Sequence, residues 1–207
     1  EKAAYCKKVA IMELGSSKTK ENLMRAFAGE SMARNRYTFS AAAAKKDGYP
    51  VLELLFHYTA GQEKEHAEIF YEYLRGCGCS NVNITSGYPV GKKEDTKSLL
   101  EYAVHNEEEE HGLIYPEFAK IAHEEGFQEI AGKFGLIAKI EQTHAERFAL
   151  FLEYLQKDQL YISEQETGWV CLNCGFMTAS TVAPKECPVC GHPQGWFCRL
   201  ELAPYQK

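Results

Sequence analysis

Residues 62–70 read QEKEHAEIF and residues 140–148 read IEQTHAERF, so the chain twice places a glutamate three positions ahead of a histidine: Glu63 with His66, and Glu141 with His144. Residues three apart share one face of a helix. Working outward, the first pair interrupts a stripe of Leu52, Phe56, Thr59, Phe70 and Leu74, and the second interrupts Ile130, Phe134, Ile137, Phe148 and Leu155. Recurrence at three and four marks an amphipathic helix whose apolar face meets a core. The four polar side chains are therefore expected to point inward. Two more stripes carry the same intrusion: Leu23, Phe27, Glu30, Tyr37 and Ala41 in one, and Leu100, Ala103, Glu107, Glu110, Ile114 and Ile121 in the other.

Local stops divide these stripes into four helices. Thr19 is read as the N-cap of the first, which runs to Lys46 before Asp47-Gly48; Pro50 suits the first turn of the second, which ends at Gly76. The third spans 96–125, stopped by Gly126, and the fourth 127–157. The connection 77–95, rich in Gly, Asn, Thr and Ser, is 19 residues long, too long for a simple antiparallel turn. It predicts a crossover between two helix pairs and hence a four-helix bundle. The halves repeat: Glu30 precedes Glu63 by 33 positions and Glu107 precedes Glu141 by 34. The expected division is a bundle with its N-terminal extension over 1–157, a polar linker over 158–168, and a small cysteine module over 169–207.

A formal charge of −6 argues against a phosphate-binding surface, so nucleic acid is not an expected partner. No apolar run approaches the roughly 20 residues of a membrane span, nor does the start resemble a secretory signal, so the chain reads as cytoplasmic.

Carboxylates and imidazoles facing one core are destabilising unless paired, and divalent cations resolve the conflict. One glutamate from each of two helices plus Glu-x-x-His from each of the other two is the ligand pattern of ferritin-like di-iron and di-manganese bundles. Glu30, Glu107, Glu63 with His66, and Glu141 with His144 match it, and oxygen and imidazole donors suit iron or manganese. Within NEEEEHG (106–112), Glu108 and Glu109 read as solvated, whereas Glu110 shares the inward stripe with Glu107. Glu110 has no counterpart in the first half. It offers one metal a choice between Glu110 and His66, coupling coordination to redox state. Tyr37 and Tyr115 either hydrogen-bond ligand carboxylates or pack as plain core. His57, His105, His111, His123 and His192 show no ligand pattern.

Cys171, Cys174, Cys187 and Cys190 form two C-x-x-C knuckles, each followed by glycine and separated by 12 residues, a pattern for a tetrahedral four-sulfur site. The 39 residues from Trp169 onward are too few for an apolar core alone. Zinc would make the site structural; iron would make it a one-electron carrier, and Trp169, Phe176, Trp196 and Phe197 suit the packing around such a centre. Cys6, Cys77, Cys79 and Cys198 show no disulfide spacing and read as reduced thiols, with a redox role for Cys77 and Cys79 left open.

The stretches AFAGESMARNRY, QEKEHA, EEEEHGLIYPEFAKIAHEEG and IEQTHAERF, with the cysteine knuckles, closely resemble the rubrerythrin family over about residues 20–200. The resemblance implies a mainly α, ferritin-like bundle followed by a rubredoxin-like β and loop domain. It implies metal ligands at Glu30, Glu63, His66, Glu107, Glu110, Glu141 and His144, and an iron held by the four knuckle cysteines, with zinc or manganese as possible substitutes. It further implies a head-to-tail homodimer that reduces hydrogen peroxide to water in anaerobic or microaerophilic cells. Its electrons would come from an NAD(P)H-dependent reductase or a rubredoxin. The competing reading is ferroxidase and iron storage, against which a built-in electron carrier argues. Residues 1–18 and Cys198 fall outside the family's motifs.

Overall fold

The computed structural model describes residues 13–93 and 95–204, so Cys6 and most of the N-terminal extension lie outside the described residues. Among the described residues are five α-helices: α1 (Lys18–Lys46), α2 (Pro50–Gly76), α3 (Thr96–Glu109), α4 (Tyr115–Glu124) and α5 (Gln128–Gln156). Helix α1 packs on α2, and α3 with α4 packs on α5, giving two helix pairs joined by the crossover segment 77–95. None of these helices is long and apolar enough to cross a membrane.

The expected third helix exists but is not continuous. A π-helical turn, Glu110–Ile114, separates α3 from α4. Its cause is Pro116 in the first turn of α4, which has no N–H to donate back and whose ring crowds the carbonyl four residues earlier. A π turn adds one residue to the helical path, so every face beyond it moves by one position. The predicted inward residues Ile114 and Ile121 are accordingly only half-buried, and Tyr115 and Ala122 take the core positions.

Helix ends follow local chemistry. Ser17, rather than the expected Thr19, caps α1, accepting the Lys20 N–H at 3.0 Å. Thr19 serves a different contact: its N–H and hydroxyl both donate to the Glu125 carboxylate, at 2.8 and 2.6 Å, bringing an anion to the positive end of α1. Asp95 caps α3 through the Ser98 N–H. Gly48 and Gly126 terminate their helices with φ of +84° and +92°, a region that costs a side chain dearly.

Two apolar layers fill the bundle. One contains Tyr37, Leu52, Phe56, Leu100 and Phe148, the other Leu23, Phe70, Tyr115, Phe134 and Ile137, all fully or almost fully buried. Each layer is further held by aromatic contacts, such as Tyr37 with Phe148 at 5.1 Å and Phe70 with Phe134 at 5.1 Å. The polar side chains of the four stripes occupy the level between them.

The C-terminal module is a three-stranded antiparallel sheet, ordered β2-β1-β3, of β1 (Ile162–Cys171), β2 (Met177–Val182) and β3 (Phe197–Arg199). Strand β1 begins inside the expected linker, whose residues 162–168 are its first seven. They are recruited by β2: Ile162 faces Val182 and Gly168 faces Ala179, with an irregularity between Ile162 and Thr167. The module seats on the end of the bundle, where Val170 and Cys198 join the core cluster of Val51 and Phe151.

Candidate metal centres

In the bundle, the two Glu-x-x-His pairs meet face to face. The imidazole rings of His66 and His144 lie 5.7 Å apart at 17°, and each directs Nδ1 toward carboxylates. Glu141 divides its oxygens between them: Oε1 lies 2.9 Å from His66 Nδ1 and Oε2 lies 2.8 Å from His144 Nδ1. Glu63 divides likewise, at 3.8 Å from His66 and 3.0 Å from His144. Two four-ligand sets result, Glu30, Glu63, His66 and Glu141, and Glu63, Glu107, Glu141 and His144, with ligand atoms within 4.8 Å of one another in each. Glu63 and Glu141 belong to both. Two divalent cations would bring four positive charges to four carboxylates, which neutralises the buried cluster.

These residues fit a metal pair by a second test. Both oxygens of Glu63 and of Glu141, Glu30 Oε2, Glu107 Oε2 and Nδ1 of both histidines are buried with no hydrogen-bond partner. Buried polar atoms are rarely left so, and a cluster of them converging on one point is a ligand set. Without metal, protons carry the compensation. Burial and then the neighbouring Glu141 and Glu63 charges raise Glu30 well above the ordinary carboxylate range. Burial and Glu63 raise Glu107 to about 8. Burial opposes charge on both histidines, but carboxylate partners outweigh it, lifting His66 far up and His144 to about 11. For Glu63 burial likewise works against ionisation, and the nearby His144 and His66 imidazoles overcome it, leaving its carboxyl depressed.

The tyrosines resolve toward hydrogen bonding, in a reciprocal arrangement. Tyr37 on α1 donates to Glu107 Oε1 on α3, and Tyr115 on α4 donates to Glu30 Oε1 on α1. Each half thus holds a carboxylate of the other. Burial and the adjacent carboxylates push both phenols well up, so both remain neutral donors. Tyr115 reaches this position because of the π turn, which brings residues five apart onto one side of the helix.

Glu110 is the one predicted ligand that the structure leaves outside both sets. Its Oε2 is buried and unpartnered, and it lines a small cavity with Arg36, Asn106 and Tyr115. Arg36 and Asn106 escaped the sequence reading, because neither belongs to an apolar stripe.

In the module, Cys171, Cys174, Cys187 and Cys190 converge, with Sγ atoms 3.7 Å apart for Cys171 and Cys190 and 3.6 Å for Cys174 and Cys187. The knuckles are built alike: Gly175 N–H donates to Cys171 O, and Gly191 N–H to Cys187 O, with both glycines at positive φ. The His192 N–H is the foremost influence holding the Cys190 thiol down at about 6. Trp169 and Phe197 are fully buried against the cysteines, flanked by Phe176 and Trp196. Cys198 faces the bundle instead, and burial pushes its thiol up to about 12.

Comparison with known proteins agrees with this geometry. Residues 21–152 and 98–170 match the family model described as Rubrerythrin, and residues 169–198 match the rubrerythrin rubredoxin-like domain. A rubrerythrin of Porphyromonas gingivalis is 45% identical over 181 residues, 87% of this chain and 89% of that one. One from Nitratidesulfovibrio vulgaris is 41% identical over 187 residues, 90% and 96% of the two chains. A solved structure of fully reduced, all-ferrous nigerythrin aligns with a TM-score of 0.60 and 25% identity, over 96% of this chain and 97% of that one. Fold and site together define a ferritin-like protein with a paired carboxylate–histidine centre and a rubredoxin-like module. The chain belongs to the rubrerythrin family, and it carries that family's di-iron site and four-cysteine knuckle site.

Proposed function

We propose that this chain is a peroxidase that reduces hydrogen peroxide to two waters, using two irons in the bundle and a third in the cysteine module. The observation that carries the reading is the coexistence, in one chain, of a centre with two shared carboxylates and a four-thiolate site. When bound, the iron pair would supply two electrons to cleave the O–O bond, two protons taken up from solvent would complete the two waters, and the thiolate-bound iron would replace the electrons singly. Glu63 and Glu141 would hold both bundle ions, with Glu30 and His66 completing one site and Glu107 and His144 the other. Tyr37 and Tyr115 fix the two outer carboxylates, and the apolar layers on either side exclude bulk water. Glu110 is proposed as an alternative to His66, taken up in one oxidation state and released in the other.

The electron donor is proposed to be a nicotinamide-dependent reductase or a rubredoxin, in the cytoplasm. Helix α5 continues 12 residues past His144 to Gln156 before the module begins, roughly 18 Å along the axis. That separation favours transfer between the chains of a head-to-tail homodimer. Anaerobic reaction of the reduced, iron-loaded protein with peroxide and with dioxygen tests the function: faster oxidation by peroxide is expected. Faster oxidation by dioxygen, with iron accumulating as ferric mineral, would instead establish the storage reading.

A further inference from the structure

The crossover segment lies along the seam between α1 and α3 as a strap. Arg25 Nε donates to the Thr85 carbonyl at 3.4 Å, Tyr88 Oη donates to the Arg25 carbonyl at 3.0 Å, and the Lys92 N–H donates to Tyr102 Oη at 3.2 Å. Tyr88 also sits 3.8 Å from the place a Cβ would occupy on Gly29, next to Glu30. Under the strap are two adjoining cavities. The outer, about 680 Å³, opens beside Phe39 and Val90, which are 69% and 87% exposed. The inner, about 110 Å³, reaches Glu110 and Tyr115, and Tyr115 is hydrogen-bonded to Glu30 of the metal centre. Arg36, Pro89 and Asn106 line both cavities and so mark where they meet.

Two buried polar atoms of residues lining the inner cavity have no hydrogen-bond partner among the described residues: Arg36 Nε, a donor, and Glu110 Oε2, an acceptor. Bare buried groups of this kind are costly. A small molecule that accepts from one and donates to the other relieves both, and a peroxide O–H does so. The inner cavity is much the smaller of the two.

We propose that this strap-covered seam is the route by which a small hydrogen-bonding oxidant reaches the bundle centre, with Arg36 as a positioning residue where the two cavities meet. The identity of the oxidant rests on the peroxidase reading; the route itself does not.

Ala43→Trp, at the wall of the outer cavity, plugs the route from a helical position, and Val90→Trp on the strap serves if that variant does not fold. The first readout is azide binding to the full-length protein with cobalt(II) in the bundle, followed by ligand-field absorption. A plug on the route slows association and dissociation by the same factor, expected to be about tenfold or more, and leaves Kd unchanged. Rates that match the parent protein would overturn the route. The second readout is peroxide oxidation of the iron-loaded, reduced chain. Arg36→Met should lower its bimolecular rate about tenfold, as expected for loss of one charged donor, and Arg36→Lys should recover part of it. Equal rates in all three would remove Arg36 from the proposal. If azide exchange slows as expected while the parent protein reacts with peroxide no faster than with dioxygen, the route stands and the peroxidase reading falls.

Discussion

Loading the bundle with metal should expel protons in a number that the structure sets. In the metal-free cluster His66 and His144 are held protonated by their carboxylate partners, Glu30 is raised by burial, and Glu107 is raised to about 8. All four must be deprotonated to act as ligands, while the depressed Glu63 has no proton to lose. At pH 7 the two-metal complex should therefore release about four protons, and each contributes about tenfold per pH unit to the overall binding constant. The sign follows: affinity rises with pH, by about 10⁴ per unit near pH 7, and less steeply above about pH 8, where Glu107 has already ionised. Manganese(II) is the suitable probe, because oxygen and imidazole donors accept it and the thiolate site does not. Calorimetric titration in buffers of different ionisation enthalpy gives the proton count directly. A count of one or fewer at pH 7 would refute the argument, since the cluster would then hold its carboxylates ionised by some other means.

Tyr115→Phe leaves Glu30 Oε1 without its donor in a buried site and should cost about 1–3 kcal/mol in the metal-free protein, read by chemical denaturation. Tyr37→Phe should do the same at Glu107, and both should weaken metal binding by about tenfold or more. Gly195→Ala would place a Cβ 2.7 Å from Pro50 Cδ and 2.8 Å from the Gly48 carbonyl; the module should loosen from the bundle, at a cost of about 1–3 kcal/mol, with faster amide exchange in β3 and unchanged bundle metal content. Deleting Gly112 together with Pro116→Ala should convert the π turn to α while leaving the flanking faces in place, so circular dichroism and two-metal stoichiometry should be retained. For electron transfer, a mixed dimer of Cys171→Ser and Glu63→Ala chains should recover peroxidase turnover that neither parent shows; metal-loaded mixed dimers without activity would place transfer within one chain.

The paired Glu-x-x-His helices and the knuckles were legible because they impose strict spacing on chemically distinctive residues. Every predicted inward residue of α2 is buried, and of α5 only Leu155 is not. Where the reading failed, a local feature overrode the period. Pro116 forced a π turn, which exchanged Ile114 for Tyr115 at the core and Ile121 for Ala122. The five-residue gap between Glu110 and Tyr115, together with Pro116, was the available signal. Strand β1 was hidden in a stretch of polar residues because its partner β2, not its own composition, makes it a strand. Arg36 and Asn106 were illegible for a different reason: their interest lies in the cavity formed with the distant strap, which no helical period encodes.

The reciprocal tyrosine bonds mean that neither helix pair owns a finished centre. The hairpin of α1 and α2 brings Glu30, Glu63 and His66 but borrows Tyr115; the other half brings Glu107, Glu141 and His144 but borrows Tyr37. Two such hairpins as separate molecules would have to find each other by diffusion before either could retain a metal ion. The 19-residue strap tethers them, replacing that encounter with an effective local concentration on the order of millimolar. Assembly of the two half-sites into one ligand set is thus independent of protein concentration.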